Sequence, residues 1–429
     1  MTSSRPAPTA AGHVVVVGAG VVGLGAAAEA HRRGYRVTVV EQAASVVGAS
    51  VQNFGHVGVT AQAGPAREYA LAARERWLSL GSAAGFAVAR SGTHVVARTS
   101  TELRLLEEFA AERGGDEVHL LDAAQTRSAA PVRPEPVVGG AYLPLDLQVD
   151  PRVAAPALAA WLESQGVTFR WRTAARAVGT GRVETTTGRI DADVVIVAAH
   201  HDLDRLLPDV AAQAQVRRCR LHMLRVRPSG TTPGRAGQAT TGAGTPGAGS
   251  AGARSTGARS AGARSTGARS AGARSTGAGF AGAGFTGPVL TGWSMVRYAA
   301  LAACPSASLV ADELAAADPV AAGWDVNLML TPQRDGTLVV GDTHLRAIDA
   351  PVFQDEEGYA VLLRLVADLL GTGLDVVERW QGTYATAPEE FLVAEPEPGV
   401  HVATVTTGIG MTTGLGLAAH VLDQAGLTD

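Results

Sequence analysis

Gly18, Gly20 and Gly23 stand in the run GAGVVG, and Glu41 follows Gly18 by 23 positions. That spacing suits a diphosphate. Gly18 permits a tight turn, Gly20 lets the backbone approach a pyrophosphate, and Gly23 lets a helix pack closely on a strand. The anion then lies at the positive end of the helix, where first-turn N–H groups have no intrahelical acceptor. Glu41 is placed to accept hydrogen bonds from a ribose, with Val22 and Gln42 beside the same site. A carboxylate there disfavours a 2′-phosphate, so the pattern predicts a dinucleotide other than NADP. A second glycine-rich run, GIGMTTGLGLA at 408–418, precedes the last apolar stretch. Gly410, Met411 and Thr412 would open a helix facing negative charge, with Gly408 allowing close approach. An ordinary buried helix start reads the same way.

The flanking elements fit this placement. His13–Val17 is a short β-branched run expected to be a buried strand, Val22–Arg33 an alanine-rich helix stopping before Gly34, and Arg36–Val40 a second strand ending at Glu41. Helices are expected from Pro65 to about Leu80, from Asp150-Pro151 to about Ser164, and from about Thr413 to Gln424. Short strands are expected at Val167–Trp171, Ala175–Val178, Arg182–Thr186, Val194–Val197, Leu221–Val226, Thr337–Val340 and His401–Val405, with another at Leu290. An N-terminal βαβ unit with strand pairs further on predicts a two-domain α/β protein: a Rossmann-type domain interleaved with an antiparallel-sheet domain.

The 429 residues carry a formal charge of −4, with 46% hydrophobic and 18% charged residues. A sizeable core is possible, and no broad field recruits nucleic acid or an anionic membrane. Every basic residue other than histidine is arginine, so no lysine is present to form a Schiff base. Cys219 and Cys304 are too few for a disulfide framework or a C-x-x-C metal site, and no metal is expected. No apolar run reaches signal-peptide or membrane-spanning character, and the expected location is cytoplasmic. Residues 229–287 contain no acid, 17 of the 52 glycines and alternating GARST and GARSA pentapeptides. Such composition predicts a disordered, low-complexity insertion, since it offers little apolar surface to offset chain entropy.

GASVQNFGHV at 48–57, VVIVAA at 194–199, GDTH at 341–344, WQGTYA at 380–385 and the run at 408–418 together resemble the D-amino-acid-oxidase-like (DAO) family of FAD-dependent oxidoreductases. The NFG, GDTH and WQGTY elements look most like a subgroup associated with aminophosphonate breakdown. The resemblance spans almost everything outside the insertion. It implies FAD, with Ser50, Asn53, Phe54 and Gly55 covering its pyrophosphate and ribityl chain and Val178 among its contacts. It also implies that the N-terminus of the last helix faces the flavin pyrimidine. The implied division is a flexible 1–12; an FAD-binding domain of 13–83, 137–212 and 386–429; and a substrate domain of 84–136, 213–228 and 288–385. Gln52 stands where covalent relatives carry histidine and Cys304 sits in apolar sequence, so FAD is expected to be noncovalent. The chain departs from the family at His200-His201, where Ala198-Ala199 would lead into a small residue beside the cofactor.

The resemblance further implies oxidation of a small anionic amine, an aminophosphonate being the favoured example. Hydride passes to flavin N5, the imine hydrolyses to an aldehyde or keto product, and O2 or another acceptor takes the electrons. An anionic substrate needs an arginine fork. Arg297-Tyr298 is the first choice, followed by Arg220 and Arg346, although any of the 36 arginines also reads as surface charge. His56 is expected over the flavin and His344 near the amine; both also read as hydrogen-bonding structural histidines. Trp380 and Tyr384 are expected to wall the pocket or pack in the core. A glycine- or sarcosine-type oxidase and a flavin-binding protein without turnover are the rivals.

Overall fold

The structure is a computed structural model that describes residues 12–133, 136–229 and 284–428. Its N-terminal unit is β1 (His13–Val17), α1 (Val21–Arg32) and β2 (Arg36–Val40). Because strand side chains alternate, β1 buries both faces. Val14 and Val16 join one apolar cluster, and Val15 and Val17 join another on the opposite side. β1 pairs in parallel with β2 and with Val194–Val197, which pairs in parallel with Val400–Thr407. Thr168–Arg170 completes this parallel region beyond β2. On one face lie α1 and the helices Gly64–Ala84, Pro151–Ser164 and Gly410–Gln424, whose buried residues share one cluster. A meander of Ala175–Gly179, Arg182–Thr185 and Gly188–Asp191 lies against the other face through Val183. Asp150 caps its helix by accepting from the Arg152 N–H at 3.0 Å, with Pro151 in the first turn, as the sequence predicts.

The parallel region continues into antiparallel strands to give one 14-stranded sheet. Leu374–Glu397 joins the two regions, pairing with Val400–Thr407 and with Arg217–Pro228. Beyond lie Leu338–Gly341, Met329–Pro332, Val289–Leu290, Thr93–Ala97, Gly139–Leu143 and His119–Asp122. The proposed division at 385/386 therefore falls inside a continuous strand. Residues 139–143, assigned to the FAD side, pair with 93–97 and 119–122 on the far side. Of the segments expected to be unstructured, 1–11 and 230–283 lie outside the described residues. The ends of the proposed insertion do pack. Phe285 is buried, Thr286 Oγ1 lies 2.8 Å from His94 Nε2, and the Ser229 N–H donates to the Gly373 carbonyl at 2.8 Å. The apolar Phe285 pulls residues 284–287 into the fold.

Candidate active site

A deep cleft lies at the carboxyl ends of β1 and β2, where an open parallel sheet presents its binding crevice. Gly18 has φ 105°, a left-handed backbone that glycine adopts without strain. A methyl group on Gly23 would stand 1.9 Å from the Gly18 carbonyl oxygen, so Gly23 sets the close approach of α1 to the turn. Gly20, Val21 and Val22 line the cleft, and α1 begins there without a side-chain cap. Ser50 Oγ accepts from the Val21 N–H at 2.9 Å. Glu41 is held by two backbone donors, the Ala19 N–H at 2.9 Å and the Ala43 N–H at 2.8 Å. At the other end lie Tyr384, Gly408, Gly410 and Met411, where the last helix starts without a side-chain cap.

A second cavity adjoins the first and shares five lining residues with it: Asn53, Leu221, Tyr384, Gly408 and Met411. Arg297, Tyr298, Asp342, His344, His56 and Asn327 give it polar groups, while Phe54, Met223 and Met329 give it apolar wall. Arg297 pairs with Asp325, which also receives Arg346 Nη1 at 2.6 Å. The Asp325 carbonyl lies 2.8 Å from His344 Nδ1. That contact makes Nδ1 the protonated nitrogen of His344 and leaves Nε2 as the acceptor, 3.8 Å from Asp342 Oδ2. Burial, reinforced by Arg297, lowers His344 to about 3, while burial pushes the Asp342 carboxyl up to about 7. Any proton held between these two groups therefore resides on the carboxyl. Asp342 Oδ1 accepts from Asn327 Nδ2 at 3.0 Å. Burial also raises the Tyr298 hydroxyl, which points to Met329 Sδ at 3.7 Å.

The DAO family model, described as FAD dependent oxidoreductase, matches residues 13–258 and 253–424. The chain belongs to this family. No curated protein matches its sequence. Among solved structures, glycine oxidase from Geobacillus kaustophilus is 18% identical over 97% of this chain and 96% of its own, with a TM-score of 0.69. Iminodiacetate oxidase from Chelativorans sp. BNC1 is 18% identical over 96% and 94%, with a TM-score of 0.66. L-α-glycerophosphate oxidase from Mycoplasma pneumoniae, solved with FAD bound, is 18% identical over 97% and 94%, with a TM-score of 0.65. At this identity the likenesses establish the fold.

This FAD-dependent oxidoreductase has a cleft that suits its cofactor. A glycine turn leads into α1 at one end, where Ser50 Oγ takes the Val21 N–H and Gly20 offers no side-chain cap, and a carboxylate stands at the end of β2. A helix start without a side-chain cap closes the other end. Thr404 Oγ1, in a lining residue, is buried without a hydrogen-bond partner among the described residues. Gly18, Gly20, Val22, Glu41, Gln42, Ser50, Asn53, Gly408, Gly410 and Met411 all line the cleft. Phe54 and Thr412 line the inner cavity instead, with Thr412 Oγ1 accepting from the Gly58 N–H at 3.1 Å. Gly55 lines neither: a methyl there would meet the Val149 carbonyl oxygen at 1.9 Å, so it serves a backbone crossing. Val178 also lines neither: it pairs opposite the buried Val183 and packs, half-buried, against the core cluster, and Thr173 and Ala175 line the cleft.

Arg297, Tyr298, His56 and His344 come together around the inner cavity. Arg220 and Arg346 do not line the cavity: Arg220 donates to the Pro351 carbonyl and Arg346 pairs with Asp325. Tyr384 walls both cavities, but Trp380 instead donates its Nε1–H to the Gln52 carbonyl at 3.1 Å. His200 lines the cleft with φ 56°, a left-handed backbone conformation that favours glycine. Its Nε2 accepts from the Ala385 N–H at 3.2 Å, so Nδ1 carries the proton, and burial lowers the ring to about 3. Cys304 packs away from both cavities with Sγ 3.5 Å from the Ala300 carbonyl. Sequence reasoning missed Asn327, Thr404 and Asp342. Asp342 stood within the quoted GDTH, read there for its histidine.

Proposed function

We propose that this oxidoreductase oxidises a small amine bearing an anionic group, with a carboxylate as the head group the site suits best. The observation that carries the reading is the cavity containing Arg297 and opening onto the flavin end of the cleft through five shared residues. FAD supplies a ring able to take a hydride from the carbon bearing the amine. The protein's part is placement and charge. Arg297 holds the anion, Tyr384 and Met411 bound the junction, and Met223 and Met329 keep the reacting end apolar. The imine is hydrolysed to a carbonyl product, and O2 or another acceptor takes the electrons from the reduced enzyme.

Charge favours a carboxylate over the anticipated phosphonate. Arg297 already shares Asp325 with Arg346, and below about pH 7 Asp342 is neutral. The cluster then offers one net positive charge, which matches a monoanion. A dianionic phosphonate calls for a second arginine facing the cavity, and neither Arg220 nor Arg346 lines it. Anaerobic mixing of the yellow protein with glycine and sarcosine, matched against aminomethylphosphonate and 2-aminoethylphosphonate, tests the reading. Loss of flavin absorbance with an amino carboxylate supports it. Preferential bleaching by a phosphonate would restore the aminophosphonate assignment. No bleaching by any amine would leave a flavoprotein without this turnover.

A further inference from the structure

The inner cavity contains a histidine whose environment fixes its two nitrogens differently. His56 Nε2 lies 2.8 Å from Thr93 Oγ1 and 3.5 Å from Asp146 Oδ2. Asp146 is fully buried. Its Oδ1 is occupied by the Val59 N–H at 2.8 Å, the Thr60 N–H at 2.9 Å and the Thr60 hydroxyl at 3.0 Å. Its Oδ2 has no hydrogen-bond partner among the described residues and lies 3.5 Å from His56 Nε2. The imidazole fits against Gly58, where a methyl group would strike Cε1 at 2.5 Å. Tyr298 meets the ring edge-on with centroids 6.4 Å apart. His56 Nδ1 has no hydrogen-bond partner among the described residues, and it is not among the enclosed unpartnered polar atoms, so it faces the cavity.

We propose that His56 is the base that takes a proton from the substrate ammonium, and that Asp146 and Thr93 are the residues that position it. A buried carboxylate beside Nε2 favours the tautomer with the proton on Nε2, which leaves the Nδ1 lone pair toward the cavity. The step is a proton transfer alone: one substrate N–H bond breaks, an Nδ1–H bond forms, and the electron pair stays on the substrate nitrogen. That pair is what lets the neighbouring carbon give up hydride, since an ammonium has none to donate. The charged and titratable groups facing the ring are Asp146 behind it, Tyr298 at its edge, and Arg297, Asp342 and His344 around the same cavity. The inference rests on the amine-oxidation reading for its substrate, whereas the tautomer does not depend on it.

The test uses the FAD-loaded enzyme in two arms. In the first, 15N-histidine-labelled protein without substrate is examined by long-range 1H–15N correlation, with His56 assigned by its loss in His56→Gln. An Nε2–H tautomer that gives way to Nδ1–H in Asp146→Asn, whose amide donates toward Nε2, supports the positioning. Nδ1–H in the parent overturns it. In the second arm, anaerobic flavin reduction by sarcosine is followed against pH. His56→Gln should slow reduction by about 10²-fold or more near neutrality and recover about tenfold per pH unit as free amine accumulates. Asp146→Asn should show the same slowing and the same recovery with pH, and Thr93→Val, which spares the turn bonds of Asp146, should show part of both. A His56→Gln enzyme matching the parent across pH overturns the base role. If no amine in the panel reduces the parent, the amine reading fails and the base role with it, while the tautomer arm still decides the positioning.

Discussion

Replacing Arg297 by alanine removes the cation facing the inner cavity. Its side chain is 21% exposed and pairs with Asp325, which keeps Arg346 at 2.6 Å after the substitution. The folding cost is therefore expected to be about 1 kcal/mol, as for a partly exposed pair. The cost to catalysis is larger. Loss of a charge-assisted partner in a partly dry site removes about 2–5 kcal/mol. Asp325 already shares this guanidinium, which places the expectation at the lower end, about 2–3 kcal/mol, or roughly 30- to 150-fold in kcat/KM. Arg297 lines only the inner cavity, so the flavin spectrum and content should not change. Lysine should rescue poorly, because a point charge does not reproduce the planar fork. Anaerobic stopped-flow reduction across amine concentrations reads both constants. Parental kcat/KM in Arg297→Ala for every active amine would refute the assignment of the anion to this residue.

Three further outcomes follow from the same geometry. Gly23→Ala places a methyl 1.9 Å from the Gly18 carbonyl and should yield flavin-poor protein destabilised by about 1–3 kcal/mol or more, read by flavin content and denaturant midpoint. His200→Gly relieves a left-handed backbone worth about 1 kcal/mol while losing one hydrogen bond to Ala385, so reconstitution should show FAD affinity equal or tighter; a tenfold loss would make His200 a cofactor contact. Asp342, raised to about 7, is neutral below that pH and negative above it, so binding of unreactive acetate should weaken as pH rises through 7. Asp342→Asn should flatten that dependence in a spectral titration.

The cofactor half was legible because its requirements are local. A strand, a glycine turn, a helix and an acid stand in one stretch, and β1 and β2 have the bounds read from the sequence, His13–Val17 and Arg36–Val40. The last helix starts three residues earlier than Thr413, because Gly410–Thr412 already turn into it. The substrate half was less legible because its contacts are long-range. Arg297 was identifiable as a basic residue beside a tyrosine, but nothing local marks Asp325 as its partner or Asp146 as the neighbour of His56. Gly55 and Val178 failed for a related reason. Adjacency to cofactor-binding sequence does not reveal which side of the backbone faces the cleft, and here a strand crossing and a buried pairing decide it.

The most direct measurement is a crystal structure of the FAD-loaded enzyme soaked with acetate, an unreactive carboxylate. The pyrophosphate is expected at the Gly18–Val22 turn, the flavin ring at the junction formed by Tyr384, Gly408 and Met411, and the carboxylate on Arg297. Acetate bound away from Arg297, or a flavin ring remote from the junction, would contradict it.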